Sequence, residues 1–354
     1  MIFSVEMLPA REGDCLWIEY GDPDGPRRIL IDGGRGRTDK DILRQLKKLK
    51  QDRIHLELLV ITHVDQDHIE GILNLLQLTD RRFTFGDIWF NGWRHLDESE
   101  AEVFGPVAGE SLTTILLDEE LPWNEAFDAR AVVLQEDAPL PILSLPGGMK
   151  LTLLSPTRRK LADLKPKWED CCRDAGIDPN RAPRRRRPPP EVETFGPLDL
   201  DSLAGADFDP DDTEANGSTI ALLAEFEGRR LLLAGDAHPD ALLDGIRLAA
   251  GGGKLRLDAF KLPHHGSKAN LSRAILDAVE CPRYLVSTSG ARYRHPDAEA
   301  MARVIKFGGP RPELVFNYRS PYSTLWDNPL WMADHGYSVR YLPDPAGGRK
   351  VALL

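Results

Sequence analysis

The sequence is poor in several features that would place it in a specialised class. It has only 4 cysteines in 354 residues, too few for a disulfide scaffold. Cys15, Cys171, Cys172 and Cys281 show no C-x-x-C spacing, and neighbours Cys171 and Cys172 are badly placed to pair with each other. Reduced thiols in a cytoplasmic protein are expected. No run approaches the roughly 18–20 apolar residues that a helix needs to cross a bilayer, so no membrane partner is expected. The start, Met1-Ile2-Phe3-Ser4-Val5-Glu6, has no basic segment followed by an apolar one and predicts no signal peptide. Positive charge is also in deficit: 45 Lys+Arg against 56 Asp+Glu leave a net charge of −11. That balance argues against non-specific coating of nucleic acid and leaves room for a local basic groove.

What is present describes a soluble globular chain, with 42% hydrophobic and 29% charged residues. The length accommodates one large or two ordinary domains. Residues 1–90 read as an α/β unit. Short strands are expected at Val5–Leu8, Cys15–Tyr20 and Arg28–Ile31, separated by Gly13-Asp14 and by Gly21-Asp22-Pro23-Asp24-Gly25-Pro26. Lys40–Leu49 has helical spacing, His55–Thr62 reads as a strand buried on both faces, and His68–Leu78 is again helical. Residues 91–215 read as an insertion. Within it, Arg158–Arg187 holds eleven Lys/Arg against five Asp/Glu, whereas Glu191–Glu214 holds nine acids and no Lys or Arg. Pro188-Pro189-Pro190 lies between these blocks, and a partly flexible segment over about 180–214 is expected. The Arg184–Arg187 run could hold phosphates or simply stay solvated. Residues 216–354 resume regular structure. Strands are expected at Thr219–Phe226, Arg230–Ala234, Ala259–Leu262 and Arg283–Ser287, with helices at Ala237–Ala250, Leu271–Val279 and Asp297–Phe307.

The strongest chemical signal is Thr62-His63-Val64-Asp65-Gln66-Asp67-His68. Two imidazoles and two carboxylates fall at the end of a buried strand and the start of a helix, where ligands collect in α/β proteins. Four such groups crowded together point to a cation. Further strand ends run into Leu30-Ile31-Asp32-Gly33-Gly34, Leu231-Leu232-Leu233-Ala234-Gly235-Asp236 and Lys261-Leu262-Pro263-His264-His265-Gly266-Ser267, and Arg294-His295-Pro296 opens a helix.

In their order and spacing these motifs resemble the metallo-β-lactamase superfamily, and within it the soluble hydrolase domain of the ComEC competence protein. Glu12-Gly13-Asp14, Leu30–Gly34, Thr62–Gly71, Asn216-Gly217-Ser218, Leu233–Asp236, Lys261–Ser267 and Arg294-His295-Pro296 carry the likeness, over about residues 1–90 and 215–300. Glu70 stands where that family has Gly, and this chain has no membrane channel, so a role in DNA uptake does not carry over.

The resemblance implies an α/β fold, an αββα sandwich of four layers with a long insertion and a two-metal site at its edge. It implies His63 and Asp65 on the first metal, Asp67, His68 and His265 on the second, and Asp236 bridging. His264 would stand beside His265 as proton donor or substrate contact, with the choice of metal ligand between the two left open. A further histidine that relatives carry before the Gly-Asp strand is missing, and Asn216 or water would replace it. Asp32 would orient a ligand histidine from behind. Asp65 in place of a second histidine makes the site harder, which favours two Mn²⁺ ions over Zn²⁺.

The implied reaction is hydrolysis of a phosphodiester by a metal-bridging hydroxide. Asp67, His264 and His295 are the catalytic candidates, and Ser267, Lys268, Arg292 and Arg294 the phosphate contacts. DNA is the leading substrate. A small phosphodiester, such as a nucleotide signal or phosphocholine ester, is one alternative. An effector subunit activated by a protein partner docking on 91–215 is another. β-Lactam hydrolysis and glyoxalase-like chemistry fit less well, because those relatives prefer histidine where Asp65 stands.

Overall fold

The computed structural model describes residues 1–49, 53–79, 81–96, 107–175, 199–343 and 349–354. Its strands follow the period-two rule that successive side chains face opposite ways. In Arg27–Ile31, Ile29 and Ile31 face one core and Leu30 another. In Arg229–Leu233, Leu231 and Leu233 face that same inner core, while Leu232 faces outward to a third.

Two sheets result. The first has six strands in the order Lys350–Ala352, Ile2–Met7, Leu16–Gly21, Arg27–Ile31, Leu58–Val60, Ile88–Trp89. The second has eight, in the order Ser338–Tyr341, Glu313–Phe316, Arg283–Val286, Ala259–Lys261, Arg229–Leu233, Ala221–Phe226, Lys150–Ser155, Ile142–Ser144. Phe3, Val5, Ile18 and Val60 of the first sheet pack against Leu151, Leu222, Leu285 and Val315 of the second. Helices Asp39–Lys48 and Gln66–Leu76 cover the outer face of the first sheet through Ile42, Leu46, Ile69, Ile72 and Leu75. Helices Pro239–Ala250 and Ala298–Phe307 cover the second through Leu242, Ile246, Met301 and Val304. The chain is thus an α/β protein with a four-layer αββα sandwich, the architecture that the sequence resemblance implies.

Several local expectations are corrected. The run His55–Thr62 is two strands, because the chain bends at buried Glu57, which pairs with Arg27. Ile54–Leu56 joins Phe83–Phe85 in a small separate sheet, and only Leu58–Val60 enters the large one. The helix read over Leu271–Val279 spans Arg273–Asp277, and Val279 begins a strand. Within 91–215, Ile142–Ser144 and Lys150–Ser155 are full members of the second sheet. The acidic stretch read as flexible contains helix Leu200–Ala204, which buries Leu200 and Ala204 and pairs its exposed Asp201 with Lys306 at 2.6 Å. Arg184–Arg187 lies outside the described residues. Among the described residues, no helix is long and apolar enough to cross a membrane.

The parallel strands position the chemistry. Arg27–Ile31, Leu58–Val60 and Ile88–Trp89 run parallel in the first sheet, and Arg229–Leu233, Ala259–Lys261 and Arg283–Val286 in the second. Their carboxyl ends open on one edge of the sandwich, where α/β proteins hold ligands.

Candidate metal centre

Each donor sits just past one of those strand ends. Asp32 follows Arg27–Ile31 with φ +58°, a turn that drives its carboxylate under the neighbouring loop. His63 and Asp65 lie between Leu58–Val60 and the helix Gln66–Leu76, and Asp67 and His68 in that helix's first turn. Asp65 is the helix N-cap, yet its side chain makes no capping hydrogen bond and faces His63 instead, 3.8 Å away. Asp236 follows Arg229–Leu233, and His264-His265 follow Ala259–Lys261. His264 and His265 have φ of +43° and +56°, a left-handed conformation that bulky residues avoid and that collects at functional sites.

One carboxylate oxygen organises the cluster. Asp236 Oδ2 lies 3.3 Å from His68 Nε2, 3.5 Å from His265 Nε2, 3.7 Å from His264 Nε2 and 3.9 Å from His63 Nε2. Four imidazoles therefore present the same ring atom to one point. Asp67 Oδ2 stands 3.7 Å from His265 Nε2. Two triads, His63/His68/Asp236 and Asp67/His68/His265, each have donor atoms within 4.8 Å of one another.

The opposite ring nitrogens are anchored. His68 Nδ1 donates to Asp32 Oδ2 at 2.7 Å, and Asp32 also accepts from the Thr62 N–H and hydroxyl, both at 2.8 Å. His63 Nδ1 meets Thr62 Oγ1 at 3.0 Å. His265 Nδ1 donates to the Ser287 carbonyl at 3.1 Å and lies 3.4 Å from Asp14 Oδ1. Asp14 is itself held by the fully buried Lys261, whose Nζ is 2.7 Å from Oδ2. Such anchoring of Nδ1 fixes each ring and turns its Nε2 toward the cluster.

Those Nε2 atoms have no protein partner. His63 Nε2, His68 Nε2, His265 Nε2 and Asp236 Oδ1 are buried without a hydrogen bond. An orphaned buried polar atom is rare and costly, and four converging on one space fit a cation. The electrostatics differ from ring to ring. Burial, reinforced by His68, pushes His63 down to about 4, which keeps it neutral as a ligand must be. Burial opposes charge on His68 and His264, but Asp236 with Asp32 outweighs it at His68, and Asp236 with Asp211 raises His264 to about 9. Burial likewise opposes the Asp236 charge, and the surrounding imidazoles hold its pKa well below the carboxylate range.

The structure thus gathers His63, Asp65, Asp67, His68, Asp236, His264 and His265, with Asp32 behind His68. Asn216 stands on the far side of His264, its Nδ2 3.3 Å from Nδ1 and 2.6 Å from Asp211 Oδ2. His295 adjoins His264, with ring centroids 5.4 Å apart, and its Nδ1 lies 3.4 Å from Asp297. Tyr293, 47% exposed, stacks on His295 with ring centroids 6.3 Å apart, and the Arg292 guanidinium lies over the Tyr293 ring, 5.1 Å from its centroid. Arg294 has φ +63° and donates its N–H to the Gly290 carbonyl. Two expected phosphate contacts are committed elsewhere. Ser267 is buried and its Oγ accepts the Ala269 N–H, and Lys268 Nζ reaches Glu299 at 2.8 Å. Glu70 accepts the Gly36 N–H and so ties the helix to the Asp32 loop.

Three residues escaped sequence reading. Asp211, Asn270 and Lys261 contact the centre or its supports, yet Asp211 sits in an acidic run and Asn270 in a loop without pattern. Lys261 could have been found as a lysine within an otherwise apolar strand. A separate cavity of about 670 Å³ lies at the opposite, amino ends of the strands, lined among others by Arg229, Arg230, Arg256 and Asp258. Its arginines are paired, Arg229 with Asp258, Arg230 with Glu225 and Arg256 with Glu280.

No family model matches the chain, and no curated protein matches it. Among solved structures it is similar to CmlA, a diiron β-hydroxylase from Streptomyces venezuelae, at 14% identity and a TM-score of 0.43. That match covers 99% of this chain and 54% of the other, so the chain spans about half the length of CmlA's.

Proposed function

We propose that this chain is a metal-dependent phosphodiesterase holding two divalent cations, with DNA as its substrate. The observation that carries the reading is the convergence of four imidazole Nε2 atoms on Asp236 Oδ2, with Asp65 and Asp67 at its open side. His63, Asp65 and Asp236 would hold one cation, and Asp67, His68, His265 and Asp236 the other. Bound there, two cations supply a Lewis acid for a phosphoryl oxygen and a water of lowered pKa. The carboxylate oxygens favour Mn²⁺, with Zn²⁺ next.

The chain's own residues do the rest. Asp32, Thr62 and Ser287 hold the imidazoles in one orientation, so no reorganisation is needed during reaction. Asp65, with 48% of its side chain exposed, marks the side from which substrate enters. Tyr293 packs with His295 and Arg292 beside that entrance, where the group meets a bound nucleotide. Arg292 brings positive charge to the phosphates beside it. His295, with Asp297 3.4 Å from its Nδ1, is placed to hand a proton to the leaving oxygen.

The test is cleavage of linear single- and double-stranded DNA, a cyclic dinucleotide and a phosphocholine ester, with Mn²⁺, Zn²⁺ or Fe²⁺, wild type beside Asp67→Ala. DNA cleavage by wild type alone, with DNA binding that weakens steeply as salt rises, is expected. Hydrolysis of a small diester with no effect of salt would move the substrate to that class. Hydrolysis of none of them would overturn the reading.

A further inference from the structure

We infer that His264 is the missing fourth donor of the first cation, and that Asp211, reaching in from the 91–215 segment, is the positioning residue that makes it one. The inference rests on the two-metal reading above and decides a role within it. Sequence leaves the first cation with His63, Asp65 and Asp236, one histidine short, and leaves His264 open between metal ligand and proton donor.

The assignment follows from one buried amide. Asn270 is fully buried, and its Nδ2 faces three acceptors: Asp211 Oδ2 at 2.8 Å, the Asp236 carbonyl at 3.3 Å and the Ala237 carbonyl at 3.4 Å. All three accept and none donates, so the amide has one consistent orientation, with NH₂ toward them. Asn270 Oδ1 then points at His264 Nδ1, 2.9 Å away. A carbonyl oxygen accepts, so Nδ1 carries a proton in either state of the ring, and Nε2 is the atom turned to the cluster and available to a cation. Nε2 lies 3.7 Å from Asp236 Oδ2, within the same convergence as the other three imidazoles. A ring whose lone pair is spent on a cation has no proton to give at that atom, which leaves the proton-donor role to His295.

Asp211 keeps this chain of contacts in place. Its Oδ2 accepts from both Asn270 and Asn216, and lies 3.4 Å from His264 Nδ1. Its Oδ1 accepts the Thr213 N–H and hydroxyl at 3.0 and 2.8 Å, and its own N–H donates to the Ala269 carbonyl. Asp211 is thus spliced between its own turn and the loop that carries His264. Ligand–carboxamide–carboxylate relays of this kind orient metal-binding imidazoles and tune their basicity.

The test is Mn²⁺ and Co²⁺ titration of the metal-free full chain by calorimetry, with the Co²⁺ visible spectrum recorded in parallel. Wild type should bind two ions. Asp211→Ala should bind one as wild type does and the other about 10–100-fold more weakly, with only part of the Co²⁺ spectrum altered. His264→Gln should lose the same site, and the double variant should lose no more than either alone. His265→Gln should weaken the opposite site. Asp211→Asn, which keeps one acceptor oxygen for the turn, controls for folding and should fall between wild type and Asp211→Ala. Two unperturbed ions in both Asp211→Ala and His264→Gln would overturn the inference and leave the two-metal reading standing. No ion bound by wild type would overturn both.

Discussion

At the scale of single residues, what the sequence discloses depends on how far apart the cooperating groups lie. His63, Asp65, Asp67 and His68 are legible because a strand end and a helix start pack them into six residues. Asp211 and Asn270 are not, because their contact joins positions 59 residues apart and each looks like ordinary loop polarity. Ser267 and Lys268 show that sequence adjacency does not fix direction. They lie beside the paired histidines in sequence, but the backbone turns them toward Ala269 and Glu299. A residue away from the centre gives a clean pH test. His95 is buried, accepts the Gly92 N–H at Nδ1 and meets the Ala129 carbonyl with Nε2. Burial, then the charge of Arg94, pushes its pKa down from 6.5 to about 4. Between those values the unfolded chain holds a proton that the folded chain refuses, so stability rises with pH through that window and is complete above it. Unfolding midpoints in urea should therefore fall from pH 7 to pH 5, and His95→Gln should reduce that fall by up to about 2 kcal/mol. An identical pH response in the variant would contradict the account of His95.

At the scale of elements, the centre depends on loops being able to touch. A Cβ at Gly13 would sit 1.6 Å from the Asp67 carbonyl oxygen, and one at Gly71 would sit 1.9 Å from that of Gly33. Backbone meets backbone at both places, which brings the Asp14 loop onto the ligand helix and that helix onto the Asp32 loop. Gly13→Ala should therefore displace Asp67, lowering stability by about 1–3 kcal/mol and weakening metal binding. Chemical denaturation and metal titration check the two effects, and an unaltered metal affinity would show that the contact does not position the ligand. The strands and helices read in 1–90 and 219–307 stand within a few residues of the observed ones, whereas Glu313–Phe316, Ser338–Tyr341 and Lys350–Ala352 carried no pattern that was read. The break at Glu57 was not legible, because a buried carboxylate paired with Arg27 looks in sequence like one polar residue in a strand. The membership of Lys150–Ser155 in the second sheet was hidden too, since its partner Ala221–Phe226 lies beyond the whole charged stretch.

At the scale of the whole molecule, the donors divide between the two halves of the sandwich. Asp32, His63, Asp65, Asp67 and His68 hang from the first sheet, and Asp236, His264 and His265 from the second. Cations held between them would tie the sheets together at one edge, across the apolar layer that joins them elsewhere. Metal should consequently raise the unfolding temperature, with stabilisation of about 2.7 kcal/mol per ion at a hundredfold excess over Kd. A chelator should reverse it in thermal scans, and an unfolding temperature indifferent to both would argue that the donors do not bridge the sheets. The most direct measurement of the central claim is anomalous scattering at the manganese edge from crystals of the Mn²⁺-loaded protein. The account predicts two peaks flanking the Asp236 carboxylate, one toward His63, Asp65 and His264 and the other toward Asp67, His68 and His265. A map with no peak at Asp236 would contradict it.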